Sequence, residues 1–292
     1  LHKCKFHAIE EHKGKIISAI DDTIGVTMWN YAALLEIKKY KFSEELLDAV
    51  SAELKNNLDQ IFLLLGLLYE AQSIVHIKQN IESCTAEGIG FAIELLDIFV
   101  DEQLKLKLFP ILDDLTIEDR VKTLQMYYPR FELSKEDSLK AILNRSYTEL
   151  NRWTKACAMM EFLNLEEKTF SDDIIAQLFN QDYLLQETAA IVLSTIDKKR
   201  FNIVMNRIDD EVKMQLEEKL NELGKQEDLS FYDKVLLLKS NSQLNNLNGY
   251  DVSLIADKMY KKLYKQKNAK LYKVKRKGLF NDKTFDDTKH TD

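Results

Sequence analysis

The chain has 292 residues, 45% hydrophobic and 30% charged, a balance that excludes a disordered segment and supports a packed core. Its 8 Gly and 2 Pro are too few for an all-β fold, which needs a turn every 8–12 residues or so, and no β-branched runs alternate with helices as a parallel sheet requires. The formal net charge of -7 is uneven: Lys258 to Lys277 holds ten basic residues and no acidic one, leaving 31 of the 41 basic residues to face 48 acidic ones. Such a body repels nucleic acid and anionic lipid, while the basic segment attracts them.

Cys4, Cys84 and Cys157 are odd in number and far apart, which fits a reducing compartment and not a disulfide framework. No run approaches the roughly 20 apolar residues of a membrane span. The most apolar stretch, Ile61 to Leu68, reads as a buried helix. No secretory signal is visible, and the start at Leu1 is expected to lie inside a longer chain or to follow processing.

In chain order, His2, Cys4, His7, Glu10, Glu11 and His12 offer metal-ligand types. His7 and His12 are five apart, so a helix turns them away from one another. Cys4, His7 and Glu11 alone could share a face. A solvated first helix is the expected outcome. Ser43 then stands where an N-cap belongs, with Glu44 and Glu45 in the first turn. Leu47, Val50, Leu54, Leu58, Ile61, Leu65 and Leu68 form a stripe at helical spacing. Gly88-Ile89-Gly90 lacks the third glycine and the preceding strand of a dinucleotide loop and reads as a turn before a helix. Pro110 should kink or break a helix begun at Glu102, and Pro129 should end one containing Met126 and Tyr127.

Thr116–Asp119, Ser134–Asp137, Ser230–Asp233 and Asn248–Asp251 have capping-box spacing, with Asp in place of Glu. They divide the chain into roughly a dozen helices of ordinary length. The pairs Asp21-Asp22, Asp113-Asp114, Asp172-Asp173 and Asp209-Asp210 read as caps and helix ends rather than paired catalytic carboxylates. Five histidines give no Ser-His-Asp or Cys-His set. Around Asn144, Arg145, Asn151, Arg152 and Trp153, the expectation is a buried Trp153 with Asn and Arg side chains bonding nearby loops.

Self-similarity is present at two spacings. Leu143-Asn144-Arg145-Ser146-Tyr147 is echoed by Phe179-Asn180-Gln181-Asp182-Tyr183. Each precedes a helix with small residues on one face, Ala156 and Ala158 in the first and Ala189 and Ala190 in the second. Ala92-Ile93 to Asp113-Asp114 is matched by Ala190-Ile191 to Asp209-Asp210. Small residues let neighbouring helices approach closely, as stacked helical repeats require.

Four landmarks stand in order: Asp59 to Tyr69, Ala92 to Asp97, Leu108 to Leu115, and Leu143-Asn144-Arg145 followed by Leu150 to Ala158. Together they resemble the HEAT-like repeat region of bacterial proteins related to ATP/ADP translocase-type major-facilitator transporters, over about residues 35–260. In that family the helical region follows a membrane domain and precedes a cyclic-nucleotide-binding domain. Tyr232 to Ser240, then Leu244 to Ala256, resembles the helical lead-in of such a domain. After Lys262, however, neither an alternating strand pattern nor a phosphate cassette is visible, so no cyclic-nucleotide binding is expected.

The last signal is basic. Val252, Ile255, Ala256, Met259, Tyr260 and Leu263 form one apolar face of a helix expected over Asp251 to Gln266. Lys261, Lys262, Lys265, Lys270, Lys273, Lys275, Arg276 and Lys277 are the candidate contacts to an anionic surface.

The predicted fold is all-α, a right-handed αα superhelix of HEAT-like repeats. The predicted divisions are N-terminal helices over 1–40, a repeat domain over 41–266 and a basic, poorly ordered tail over 267–292. The predicted function is a non-enzymatic scaffold or coupling module for a protein partner. It has no cofactor, metal or small-molecule substrate, and it is cytoplasmic, at the inner face of the membrane if the transporter resemblance holds. The alternative is an adaptor that docks on membrane lipid or RNA through the basic segment.

Overall fold

The computed structural model describes residues 10–83, 85–226, 228–263 and 270–274, with backbone alone from Tyr260 onward. These residues form fourteen α-helices and one pair of short strands. The chain divides into two compact units, residues 1–138 and 139–292. The sequence suggested a break at 40/41, which falls inside the first unit.

The first unit opens with α1 (Glu10–Tyr40), 31 residues long. Lys41, with φ 55°, turns the chain into α2 (Glu44–Leu68). Ser43 caps α2 by accepting the Leu46 N–H, as its sequence position predicts. Then come α3 (Ala71–Glu82), α4 (Ala86–Asp97), α5 (Glu102–Leu112), α6 (Ile117–Leu124) and the start of α7 (Lys135–Asn144).

Helix α1 is the hub of this unit. It packs on α2, α5 and α6, while α2 to α5 each pack on the next helix. That placement explains its sequence. From Thr23 to Ile37 nearly every turn buries residues on more than one side, including Ile24, Met28, Tyr31, Ala33, Leu34 and Ile37. A helix apolar all round is an interior helix. The predicted α2 stripe is rotated slightly: Leu46, Val50, Leu54, Ile61 and Leu65 are buried, whereas Leu47, Leu58 and Leu68 are half-buried.

Two local expectations need correction, and a third is located. Asp21 and Asp22 lie in mid-α1 and not at a helix end, because the helix runs on to Tyr40. Gly88-Ile89-Gly90 lies inside α4, capped by Thr85. A Cβ on Gly88 would sit 2.9 Å from the Asn80 carbonyl, so this glycine permits the tight α3–α4 turn. Pro110 stands inside α5, which ends two residues later with Asp113 as C-cap. Pro110 cannot donate to the Leu106 carbonyl, and the helix stops within one turn of it.

The second unit takes the rest of α7, then α8 (Arg152–Glu161), a 3-10 turn over 162–164, α9 (Asp172–Gln177), α10 (Tyr183–Ile196), α11 (Lys198–Met205), α12 (Asp210–Gly224), α13 (Phe231–Lys239) and α14 (Gly249–Ala256). Here α10 is the hub, packing on α8, α9, α11, α12 and α13, and α14 closes against α8 and α13. The duplicated sequence pattern corresponds to two helix pairs, α7–α8 and α9–α10. Ala156, Ala158, Ala189 and Ala190 are all fully buried in their second members. All four N-caps form. Thr116, Ser134, Ser230 and Asn248 accept the N–H of the Asp three residues on at 3.1, 3.1, 2.9 and 2.9 Å.

The helix expected over Asp251 to Gln266 ends at Ala256, with Asp257 as C-cap. Beyond it β1 (Met259–Leu263) pairs antiparallel with β2 (Lys270–Val274). The strand at Lys270–Val274 is not signalled by any alternating pattern in the sequence. Neither Met-Tyr-Lys-Lys-Leu nor Lys-Leu-Tyr-Lys-Val alternates apolar and polar residues, so the strands are not legible in the local pattern, although Tyr and Val favour a pleated surface.

Candidate functional site

The basic candidates fall in two groups. Lys261 and Lys262 belong to β1, and Lys270 and Lys273 belong to β2. The register sets Lys261 opposite Tyr272, Lys262 opposite Leu271, Leu263 opposite Lys270, and Tyr260 opposite Lys273. Each strand thus carries two lysines, and every one of them stands across from an aromatic or an aliphatic residue. Lys265, Lys275, Arg276 and Lys277 lie outside the described residues, as do His2, Cys4 and His7. Among the described residues no group of three or more His, Cys, Asp or Glu could hold a metal ion. No described helix is long and apolar enough to cross a membrane.

The strands follow α14, and the docking of α14 is the most closely fitted junction of the second unit. Trp153 on α8 is 1% exposed and stacks on Tyr232 of α13, with ring centroids 4.9 Å apart and planes at 20°. Gly249, the first residue of α14, lies flush on the indole. A Cβ there would overlap Nε1 and Cδ1 of Trp153. The Trp153 Nε1–H has no hydrogen-bond acceptor, so shape rather than polarity defines this contact.

Arg152 completes the junction. Its Nε donates to Ser253 Oγ (3.0 Å), one terminal nitrogen to Ser253 O (2.9 Å) and Asp257 Oδ2 (2.6 Å), and the other to Asp182 Oδ2 (3.2 Å). One planar fork therefore joins α8, the N-cap of α10 and the last turn of α14, which a lysine could not do. Asp257 and Asp182 keep the Arg152 charge in place against the burial that opposes it. The sequence anticipated loop bonding by this arginine, but not partners 101 and 105 residues away.

Lys155 is buried below that fork. Its Nζ donates to the carbonyls of Leu143 (2.7 Å) and Arg145 and lies 4.7 Å from the Tyr147 ring centroid. It therefore satisfies carbonyls at the C-terminus of α7 that helical bonding leaves open. Burial pulls its ammonium down to about 8, with Glu149 opposing and Arg145 adding to the effect. At 1% exposure it has no access to a substrate.

A second buried polar cluster ties α10, α12 and α13 together. Glu187 accepts the Phe231 N–H at 2.5 Å. Lys219 bonds Asp228 and the Leu229 carbonyl, and Lys234 lies 3.4 Å from the same Asp228 oxygen. Burial raises the Glu187 carboxyl above the usual range, with Phe231 N–H, Lys219 and Lys234 opposing.

In the first unit the polar groups stitch later segments onto α1. Lys107 and the Tyr128 hydroxyl both donate to Asp21, at 2.7 and 2.6 Å. Burial would raise Asp21, but these donors outweigh it and hold the carboxyl below its ordinary range. Arg120 donates to Tyr31 Oη (3.2 Å) and the Asp113 carbonyl (2.7 Å). Arg130 donates to Trp29 O and Glu36 Oε2, both at 2.6 Å, and stacks on the Trp29 ring at 4.7 Å. Lys39 pairs with Glu132, and Tyr40 Oη donates to Leu133 O at 2.6 Å.

Phe131 stands between two of these clamps and is 87% exposed. Its neighbours Arg130 and Glu132 are both tied to α1, so the loop holds the phenyl outward. Met126 in the same loop is 75% exposed, and Phe91 on α4 and Ile98, the α4 C-cap, are 53% and 78% exposed. Sequence reasoning missed these four. For Phe91 the available signal was an apolar residue out of register with the buried residues of α4, Ala92 and Leu96.

Comparison with protein-family models, curated proteins and solved structures returned no match.

Proposed function

We propose that this chain is a non-enzymatic helical scaffold that binds a protein partner, built from HEAT-like helix pairs and acting as the cytosolic region of a transporter-related protein. The observation that carries this reading is Phe131, an exposed aromatic side chain beside Arg130, which is tied to Trp29 and Glu36 of α1. Aromatic anchors that are already ordered lose little entropy on binding and are typical of interface hot spots. The buried ionic groups support the same reading, because Arg152, Lys155, Glu187 and Arg130 are each engaged in internal contacts. The α7–α8 and α9–α10 pairs, with their buried alanines, support a right-handed αα superhelix of repeats.

The test is retention of a partner on the immobilised chain in high salt, compared with Phe131→Ala. Loss of that partner with an unchanged melting temperature is the expected result. Retention by the variant, or elution by salt alone, rejects Phe131 as the anchor.

A second reading, docking on an anionic membrane, is favoured by the ten basic residues of Lys258 to Lys277 and the two lysines in each strand. A juxtamembrane Lys or Arg contributes about 1 kcal/mol near an anionic leaflet, screened by salt. Co-sedimentation with anionic vesicles that fails with neutral vesicles, and is lost in Lys261→Glu/Lys262→Glu/Lys273→Glu, is its expected signature. Salt-dependent binding to RNA but not to vesicles would move this reading to nucleic acid.

A further inference from the structure

Gly249 is fixed by sterics. Any side chain there would enter the Trp153 indole, so α14 can dock on α8 only with glycine at its first position. The residue before it is the N-cap of α14, and Asn248 fills that role by accepting the Asp251 N–H at 2.9 Å. N-caps are drawn from a few short polar residues. The two requirements together place a short polar cap directly before Gly, and in this chain that cap is Asn. Asn–Gly is a chemically reactive pair, because a glycine nitrogen meets no side-chain hindrance when it approaches the asparagine amide.

We propose that Asn248 is a self-modification site whose conversion to isoaspartate is held back by the docking of α14 and, once it occurs, undocks that helix. In the first step the Gly249 backbone nitrogen adds to Asn248 Cγ. The bond from Gly249 N to Cγ forms, the Cγ–Nδ2 bond breaks, and ammonia leaves with the proton of the Gly249 N–H. The product is a cyclic imide. Solvent water then opens the imide at either carbonyl. Opening at Cγ leaves aspartate with the normal main chain, and opening at the main-chain carbonyl routes the chain through Cβ as isoaspartate. Nothing is oxidised or reduced.

The folded geometry restrains the first step in three ways. The Asn248 backbone is extended, with φ -70° and ψ 163°, which holds the Gly249 nitrogen away from the path to Cγ. The Asn248 side-chain oxygen is engaged with Asp251. Gly249 is buried and pressed on the indole, so the ψ rotation that closes the ring must lift it off Trp153. Ring closure therefore requires the end of α14 to open, and the rate follows the population of that local opening.

The two products differ in consequence. Aspartate remains a good N-cap and adds favourable charge at the helix start. Isoaspartate inserts a methylene into the main chain between the cap and Gly249. A contact with no room for a Cβ has no room for that displacement. The Arg152 fork at the far end of α14, to Ser253 and Asp257, then holds a helix whose first turn has left its seat. The basic strand pair follows α14 directly, so the event would alter how that segment is presented.

The experiment ages the purified full chain at physiological temperature and mildly alkaline pH. Peptide mapping reads the mass gain of about one dalton, and enzymatic methylation of isoaspartate reads the rearranged product. Asp257→Asn weakens the Arg152 fork at a partly exposed position and should speed modification at Asn248 severalfold. Asn248→Ser keeps a capping oxygen and should abolish it. Asn248→Asp should leave hydrogen exchange in α14 unchanged, whereas the isoaspartate fraction should exchange faster in α14 and not in α2. The inference is overturned by a rate equal to that of the urea-unfolded chain, by a rate indifferent to Asp257→Asn, by no modification at Asn248, or by an isoaspartate species whose α14 exchanges normally.

Discussion

The two units solve one problem differently. Each buries a hub helix, α1 in the first and α10 in the second. Around α1 the later segments are fastened by charged and hydroxyl groups at the rim: Lys107 and Tyr128 to Asp21, Arg120 to Tyr31, Arg130 to Glu36. Around α10 and α8 polar contacts of Arg152 and Glu187 are joined by steric seats, with alanines at the contacts and Gly249 flush on Trp153. A rim clamp tolerates a small shift at modest cost, because water can replace part of it. A steric seat does not, since interiors are packed to crystal density.

Two glycines test that contrast directly. Gly249→Ala forces a methyl group into the indole, and the second unit should lose roughly 3 kcal/mol or more, at the upper end of overpacking costs. Gly25→Ala in α1 brings its Cβ to 3.1 Å from the Tyr128 ring edge. That ring can move by a few tenths of an ångström, and alanine favours the helix by about 1 kcal/mol over glycine, so the net change should stay within about 1 kcal/mol. Urea unfolding of both variants, followed by hydrogen exchange in α14 and α1, is the measurement. Equal losses would erase the distinction between seat and clamp.

Arg130→Ala asks how much a rim clamp contributes when it is the least exposed one. Both side chains of the Arg130–Glu36 pair are about a tenth exposed. Removing the arginine leaves Glu36, whose carboxyl burial already raises, without its main counter-charge. Breaking buried pairs costs about 3–5 kcal/mol, and residual solvent access should bring this one to roughly 2–3 kcal/mol. Ala158→Leu, a fully buried overpacking change in α8, should cost roughly 1–3 kcal/mol. If Ala158→Leu melts like the parent, the packing of α8 on α10 is misassigned.

The helical class was legible because the caps carry it. Ser43, Thr116, Ser134, Ser230 and Asn248 each mark a helix start locally, through a side chain bonding three residues ahead. The hub role of α1 was not legible, because periodicity reports burial on one face and α1 is buried on several. Asp21 read as a helix end since nothing nearby shows that Tyr128, 107 residues later, will donate to it. The basic segment failed in another way: Met259 to Leu263 shows no alternation, so its strand is set by the pairing with Lys270 to Val274 and not by local pattern. Trp153 and the alanines were readable because large and small residues within one short helix imply a fitted contact.

The pH response of the second unit should expose Lys155. Its folded-state value of about 8 lies below the ordinary 10.5. Between these limits the unfolded chain binds more protons, so this group makes stability rise with pH across that window, by up to about 1.4 kcal/mol per pH unit. Below the window its contribution is flat. Lys155→Met lowers overall stability by leaving the Leu143 and Arg145 carbonyls without their donor, but it should also remove the slope. Urea midpoints measured from neutral pH up to the onset of tyrosine ionisation give the comparison. A variant with the parental slope would show that Lys155 stays charged.

The smallest expected effect is at Lys41, in the turn between α1 and α2. Its φ of 55° is left-handed, where a side chain crowds the following carbonyl and glycine does not. The position follows the end of α1 at Tyr40, and the Phe42 N–H reaches back to the Ile37 carbonyl at 3.1 Å. That is the geometry in which helices favour glycine after their last turn. Lys41 is exposed, so replacing it removes little packing. Lys41→Gly relieves about 1 kcal/mol of backbone strain and gives back part of it through the greater freedom of glycine in the unfolded chain. A net gain of roughly 0.5 kcal/mol is expected, read as a higher urea midpoint with an unchanged slope. Lys41→Asn, also tolerant of this conformation, should gain less, and Lys41→Val should lose more than 1 kcal/mol because a β-branched side chain fits this region worst. The ordering Gly, Asn, Lys, Val is the test. Any other order would mean that the α1–α2 turn relaxes to a different backbone, and that the first unit is less fixed at its hub than its rim clamps imply.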